Sequence, residues 1–288
     1  DYSQIRPTGA VIRTFGGIAP GPGPLQDCIQ NIDDVLRPRI SERISSTDIT
    51  DLMNVIGKCV VSGGVRRTAE LALGSADDSE YLQLKDPEKN REKLMAWRWA
   101  SNNSVTASIG MDYGVVGQQT AKNGEPGYFW LENAKAYGRL KDGVNWLDAK
   151  VAGTNPCAEQ SLESYEICNL VETFPSLHDS YDEDKRTLKY AYLYAKTVTL
   201  VPTHNERTNA IMLRNRRIGL SQSGIVQAFE KHGRRAHFEW CDEGYKYICQ
   251  LDKIYSQWLC IPESIKKTSV KPSGTVSLLP GVTDRKSV

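Results

Sequence analysis

In the stretch GTNPCAEQSLESYEICNL, residues 153–170, an amide, a thiol and a carboxylate stand at alternate positions: Asn155, Cys157 and Glu159. A second thiol, Cys168, follows eleven residues after Cys157. In an extended segment, side chains two residues apart point to the same side. Pro156 biases Asn155 toward extended backbone and has no N–H to donate. An extended reading therefore places the three groups on one edge, with Pro156 and Ala158 on the other. A lone buried cysteine is most often a small hydrophobe, but an amide, thiol and carboxylate together make a reactive tip.

A second candidate is KPSGT, residues 271–275. A Ser-Gly-Thr turn entering a helix offers backbone N–H groups and two hydroxyls to a phosphate; such turns also serve as plain helix caps. SGGVRR, residues 62–67, lacks the phosphate-loop pattern and reads as the start of a strand. SNNS, residues 101–104, suits a turn, with Asn102 or Asn103 as possible cavity residues, and the basic run RNRR, 214–217, reads as a solvated face.

The elements that position these groups follow from periodicity. Apolar spacing predicts helices over 25–40, from about 45 with Ser or Thr as cap and a stripe at 49, 52, 56, 59 and 60, and over 86–100 with Asp86 as cap and Pro87 in the first turn. Strands are expected over 65–74, 104–110 and within YEICNLVETF, and 111–150 reads as irregular. Later helices are expected over 183–200, 205–213, 222–232 and 238–259, with a strand in RRIGLSQSG. TSVKPSGTVSLLPG reads as strand, glycine turn and helix start. Strands alternating with helices predict an α/β fold with much parallel pairing.

The 288 residues carry 40% hydrophobic and 25% charged content and a net charge of +1. That balance gives no general attraction to nucleic acid or to an anionic membrane, and no apolar run is long enough to span a bilayer. Seven scattered cysteines, without a CxxC pair, are not a secreted disulfide framework and point to a reducing cytoplasm. The four histidines do not pair at metal-ligand spacing, so no metal site is expected. Cys28, Cys59, Cys241, Cys249 and Cys260 read as helix-face core residues. Both ends read as cuts through a longer protein, the whole of 1–288 being one domain.

Asn155-Pro156-Cys157-Ala158-Glu159 resembles the radical-cysteine loop of ribonucleotide reductases, whose usual form is close to NPCGE, with Ala158 in place of the common glycine. The offset to Cys168 resembles the adenosylcobalamin-dependent (class II) branch. RPTGAVIRTFGG, IGKCVVSGGVRRTAELALG, SNNSVT and KPSGTVSLLPGVT resemble further blocks of the monomeric ribonucleoside-triphosphate reductase type, in order along the chain. The resemblance implies the central and later part of a ten-stranded α/β barrel, with a central finger loop carrying the radical cysteine. It implies Cys157 as the thiyl site, Glu159 as general base, Asn155 as the residue holding the ribose hydroxyls, and Cys168 as one half of a reducing dithiol whose partner lies outside the chain. Ser273, Gly274 and Thr275 would hold the substrate's phosphates. Adenosylcobalamin as cofactor, a ribonucleoside triphosphate as substrate, thioredoxin or a similar dithiol as reductant and deoxynucleotides as effectors follow from the same resemblance. Another ribonucleotide reductase class, or an inactive nucleotide-binding piece, remains open at this point.

Overall fold

The fold comes from a computed structural model that describes residues 1–13, 16–64 and 67–284. Thr14 and Phe15, in RPTGAVIRTFGG, and Val65 and Arg66, at the start of the strand expected over 65–74, lie outside the described residues. The chain forms two compact units, Asp1–Trp130 and Leu131–Val288.

In the first unit, α1 (Gly23–Leu36) packs on α2 (Ser46–Val61). The start of α2 is a capping box: the Asp48 N–H donates to Ser45 Oγ at 3.1 Å, and the Ser45 N–H donates to the Asp48 carboxylate at 2.9 Å. The expected apolar stripe on α2 is corrected. Ile49, Met53, Ile56 and Val60 are exposed, while Thr50, Asp51, Asn54 and Val55 are buried. The cause is Asp51, whose carboxylate is held by Arg98 Nε (2.6 Å) and Nη2 (2.8 Å), Trp97 Nε1 (2.8 Å) and Lys93 Nζ (3.0 Å), turning the polar face inward.

Strand β1 (Glu70–Ser75) is followed by α3 (Ser79–Leu82) and by α4 (Pro87–Ala96), which Asp86 caps as expected. Then come β2 (Ser101–Thr106), α5 (Gly114–Asn123) and β3 (Gly127–Phe129). The three strands pair in parallel in chain order, Glu70 opposite Ser101 and Ser104 opposite Gly127. Tyr81 closes one face. Its hydroxyl lies 2.6 and 3.0 Å from the carbonyls of Ala72 and Ser104, and its ring covers Gly74, where a Cβ would collide with it. SNNS thus lies on a strand, and the region 111–129 is more ordered than its sequence suggests.

The second unit begins with α6 (Leu131–Ala136) and a two-stranded hairpin, β4 (Gly153–Thr154) against β5 (Ser161–Leu162). Then follow β6 (Leu170–Thr173), α7 (Tyr181–Val198), α8 (Glu206–Asn215), β7 (Gly219–Gln222), α9 (Ile225–His232) and α10 (Arg234–Leu259). β6 and β7 are parallel, Leu170 opposite Gly219 and Glu172 opposite Ser221. Residues 266–269 run along the other side of β7, through Ile218 N–H to Lys266 O (3.0 Å) and Ser269 N–H to Leu220 O (2.9 Å).

The core of this unit joins Leu188, Tyr192 and Ala195 of α7 to Ile248, Leu251 and Tyr255 of α10 and to Ile218 and Leu220 at β7. Inside it, Lys196 Nζ donates to Asp252 Oδ1 at 2.6 Å with both side chains fully buried. Val171 and Leu220 face these helices, so strand alternation turns Glu172, Gly219 and Ser221 to the opposite face. That second face carries the candidate site. Among the described residues no helix is long and apolar enough to cross a membrane.

Candidate active site

Residues 155–160 form the tip of the β4–β5 hairpin. The Ala158 N–H donates to the Asn155 carbonyl at 3.0 Å, closing a four-residue turn with Pro156 and Cys157 at its centre and Ala158 at φ +60°. The Asn155 N–H donates to Gln160 O at 3.1 Å, and Asn155 Oδ1 accepts the Gln160 N–H at 3.0 Å. The extended geometry expected for 155–159 is therefore corrected: proline at the second turn position and an asparagine that bonds its own turn outweigh the strand pattern.

The turn still gathers the expected groups. The second amide atom of Asn155, Nδ2, donates to Cys168 Sγ at 3.6 Å. Glu159 is anchored through its backbone, whose carbonyl accepts the Ser269 hydroxyl at 2.7 Å. Its carboxylate oxygen Oε2 is buried and has no hydrogen-bond partner among the described residues. Burial and then the Glu159 carboxylate, with Cys157 adding, push the Cys168 thiol up to about 12; Lys271 and Arg217 pull the other way. Cys168 is thereby kept a neutral thiol beside a carboxylate. Cys157 is half-buried at the tip. Gln160 lies directly over β7: a Cβ on Gly219 would collide with Gln160 Oε1 and Leu170 Cδ2, so both side chains would have to shift to admit one.

The turn at 273–275 stands further along the strand that touches Glu159. Gly274–Leu278 is a short 3-10 helix, and Ser273 precedes it at φ +65°. Gly274 and Thr275 are exposed, but Ser273 is buried and its hydroxyl donates to Glu172 Oε1. Ser223 Oγ donates to the same oxygen at 2.5 Å and Ser221 Oγ at 3.4 Å, while Glu172 Oε2 is buried without a partner among the described residues. The Lys271 N–H donates to Ser221 Oγ at 2.7 Å, tying this turn to β7. Glu172 has no counterpart in the sequence reading; its position opposite Ser221 on a parallel strand is its only signal.

The reading of RNRR as a solvated face is overturned. Arg216 and Arg217 are buried, at 5% and 0% exposure. Arg217 holds both oxygens of Asp148 at 2.6 Å, and also Glu166 at 3.0 Å and the Ser161 hydroxyl at 3.1 Å. Cys260 is likewise exposed rather than core, because α10 ends there in a left-handed residue at φ +53°. Cys28 is buried as expected, and Cys59, Cys241 and Cys249 are half-buried. Asn103 is buried on β2, accepting the Ser101 hydroxyl at 2.9 Å. No group of three or more His, Cys, Asp or Glu among the described residues could hold a metal ion.

Comparison with known proteins shows what the chain is similar to. Over 284 residues the chain is 52% identical to the probable adenosylcobalamin-dependent ribonucleoside-triphosphate reductase of Dictyostelium discoideum, covering 98% of this chain and 37% of that protein. It is 50% identical to the enzyme of that name from Euglena gracilis (98% of this chain, 39% of that protein) and 41% identical to that of Lactobacillus leichmannii (99% and 42%). The chain is homologous to part of the adenosylcobalamin-dependent ribonucleoside-triphosphate reductases. A crystal structure of a B12-dependent class II ribonucleotide reductase superimposes with a TM-score of 0.88 at 38% identity, over 98% of this chain and 42% of that one. The class Id ribonucleotide reductase alpha subunit of Actinobacillus ureae, at 15% identity and a TM-score of 0.55, shares the fold alone. No protein-family model matches. The class II likeness bears out the expected α/β fold, and the chain spans about two fifths of the length of the reductases it matches.

Proposed function

We propose that the chain is the part of an adenosylcobalamin-dependent ribonucleoside-triphosphate reductase that carries the reacting thiols. On this reading both units belong to one ten-stranded catalytic barrel, the 155–160 turn is its finger loop, and the enzyme works in the cytoplasm. What supports it is the convergence of Asn155, Cys157, Glu159 and Cys168 at one hairpin tip, in a chain 41–52% identical to enzymes of that name.

Cys157 is half-buried at a turn tip, a placement that fits a group that must approach a thiol to take its hydrogen atom. Adenosylcobalamin, when bound, would supply that hydrogen-atom abstraction from Cys157 and no more of the chemistry here. The Cys157 thiyl takes the 3′ hydrogen of the ribose. Glu159, through its unpaired Oε2, takes the 3′-hydroxyl proton. Asn155 gives one amide hydrogen to Cys168 and has a second for a ribose oxygen, which holds the sugar over the sulfur.

The 2′ hydroxyl then leaves as water, protonated by a thiol of the Cys168 pair. The second thiol, from a cysteine outside this chain, supplies the hydrogen that replaces the hydroxyl on the 2′ carbon. The two sulfurs give up two electrons in all and close to a disulfide. Glu159 returns its proton to the 3′ oxygen, and Cys157 returns its hydrogen to the 3′ carbon and is left a thiyl again. Thioredoxin or a similar dithiol reopens the disulfide, and deoxynucleotide effectors regulate the enzyme. The exposed Gly274 and Thr275 meet the triphosphate, and Ser273 shapes their turn through Glu172.

The test is reduction of CTP or ATP by the intact protein with and without adenosylcobalamin. Cobalamin-dependent deoxynucleotide formation, lost in Cys157→Ser, is expected. Activity that ignores cobalamin and needs a metal-containing second subunit would move the protein to another reductase class, and a fully active Cys157→Ser would remove the radical role.

A further inference from the structure

Beneath the hairpin lies a four-charge cluster that no substrate group needs to touch. Arg217 and Lys266 face Asp148 and Glu166, and the side chains are 0%, 12%, 4% and 0% exposed respectively. Two bases and two acids cancel, so the cluster is buried without net charge. Its contacts fall on both sides of each proposed reacting thiol. On the hairpin, Asp148 stands ahead of β4, and the Ser161 hydroxyl on β5 meets Arg217 Nη1 at 3.1 Å, Lys266 Nζ at 2.7 Å and Asp148 Oδ2 at 3.2 Å. Cys157 lies between these two anchors.

Cys168 is bracketed in the same way. Two residues before it, Glu166 pairs with Arg217 Nη2 at 3.0 Å and accepts the Asn215 amide at 3.0 Å and the Glu163 N–H at 2.9 Å. One residue after it, Asn169 donates to the Arg217 carbonyl at 3.3 Å and accepts the Gly219 N–H at 2.8 Å. A single arginine thus grips the strand that carries the tip and the segment that carries the second thiol. A guanidinium fork can hold two carboxylates and a hydroxyl in fixed directions; an ammonium, as a point charge, cannot fix them together.

We propose that Arg217, with Asp148, Glu166, Lys266 and Ser161, forms a positioning cluster that sets the separation of Cys157 and Cys168, a role that rests on the reading of these cysteines as the reacting thiols. The distinguishing readout is the spacing itself. In the intact protein, Cys157 and Cys168 are joined by the short bifunctional thiol reagent dibromobimane and the cross-linked peptides are quantified by mass spectrometry. This needs neither cofactor nor turnover.

Arg217→Met leaves two buried carboxylates short of a partner and is prone to unfold, so Arg217→Lys and Ser161→Ala are the deciding variants. With folding checked by circular dichroism, both are expected to lose several-fold in cross-link yield. Turnover is expected to fall roughly ten- to a hundredfold, with KM for the nucleoside triphosphate within about threefold of the native value. Unchanged cross-linking in both folded variants overturns the proposal, as does reduced cross-linking with undiminished kcat. A native protein that cross-links but reduces no nucleotide would instead count against the functional reading, leaving the spacing measurement to judge the cluster.

Discussion

Cys168 allows the arrangement at the hairpin tip to be measured through one thiol. Its pKa rises from 9.0 to about 12, first through burial and second through the Glu159 carboxylate. At pH 8 that shift lowers the thiolate fraction from about one in ten to about one in ten thousand. A more basic thiolate is also the better nucleophile, by roughly twentyfold over three units at a Brønsted slope of about 0.45. Alkylation at pH 8 should therefore be slowed by roughly thirty- to sixtyfold, not the full thousandfold. Labelling with iodoacetamide from pH 7 to 10.5, read by peptide mass spectrometry against exposed Cys260, should give a Cys168 rate that climbs throughout without a plateau near pH 9.

Steric shielding alone would lower the rate and leave the plateau in place, so the profile carries the test. Glu159→Gln removes the second-largest cause and should raise the pH 8 rate several-fold. By linkage, a folded pKa above the unfolded one gives stability that is complete below about pH 9 and is lost as pH rises toward 12. A plateau near 9, or a profile unmoved by Glu159→Gln, would refute the placement of Glu159 against Cys168.

Other outcomes follow from the same contacts. In the intact protein, Glu159→Gln should lower nucleotide reduction by about 10²- to 10⁴-fold, the usual worth of a general base, without lowering thermal stability. Lys196→Met leaves the fully buried Asp252 carboxylate with Lys267 at 3.5 Å as its remaining cation and should cost about 3 kcal/mol in urea unfolding, whereas Lys196→Met with Asp252→Leu should recover part of it. Gly219→Ala forces a Cβ into Gln160 and Leu170 and should cost about 1–3 kcal/mol while displacing the turn, seen as altered Cys157 labelling.

What could be read from the sequence was what is local. Helix caps such as Ser45 and Asp86, and the long α10, follow from neighbours a few residues apart. The Asn155–Glu159 motif was legible as a reactive group, but its backbone was not: alternation argued for an extended segment, while Pro156 and the Asn155 side chain impose a turn. The α2 face was misread for a related reason. A stripe of apolar residues is a good guide to burial until a buried carboxylate with four donors turns the helix over, and Arg98 lies 47 positions from Asp51. Arg217 carries no local sign of its role either, since its partners Asp148, Ser161 and Glu166 are 69, 56 and 51 residues away.

That long-range pairing ties together the strands that carry the tip and its buried carboxylate. Arg217 and Lys266, at the base of the hairpin, are committed to other carboxylates, Asp148 and Glu166. Glu159 has a buried oxygen without a partner among the described residues, and Cys168 beside it is kept protonated. A lone carboxylate next to a neutral thiol is costly to bury, and on the role proposed for it the neutral cluster below makes that arrangement persist by tying its strands together. On the positioning role proposed for the cluster, the chemistry at the tip depends on charges that never reach it, because they hold the strands that set Glu159 beside Cys168.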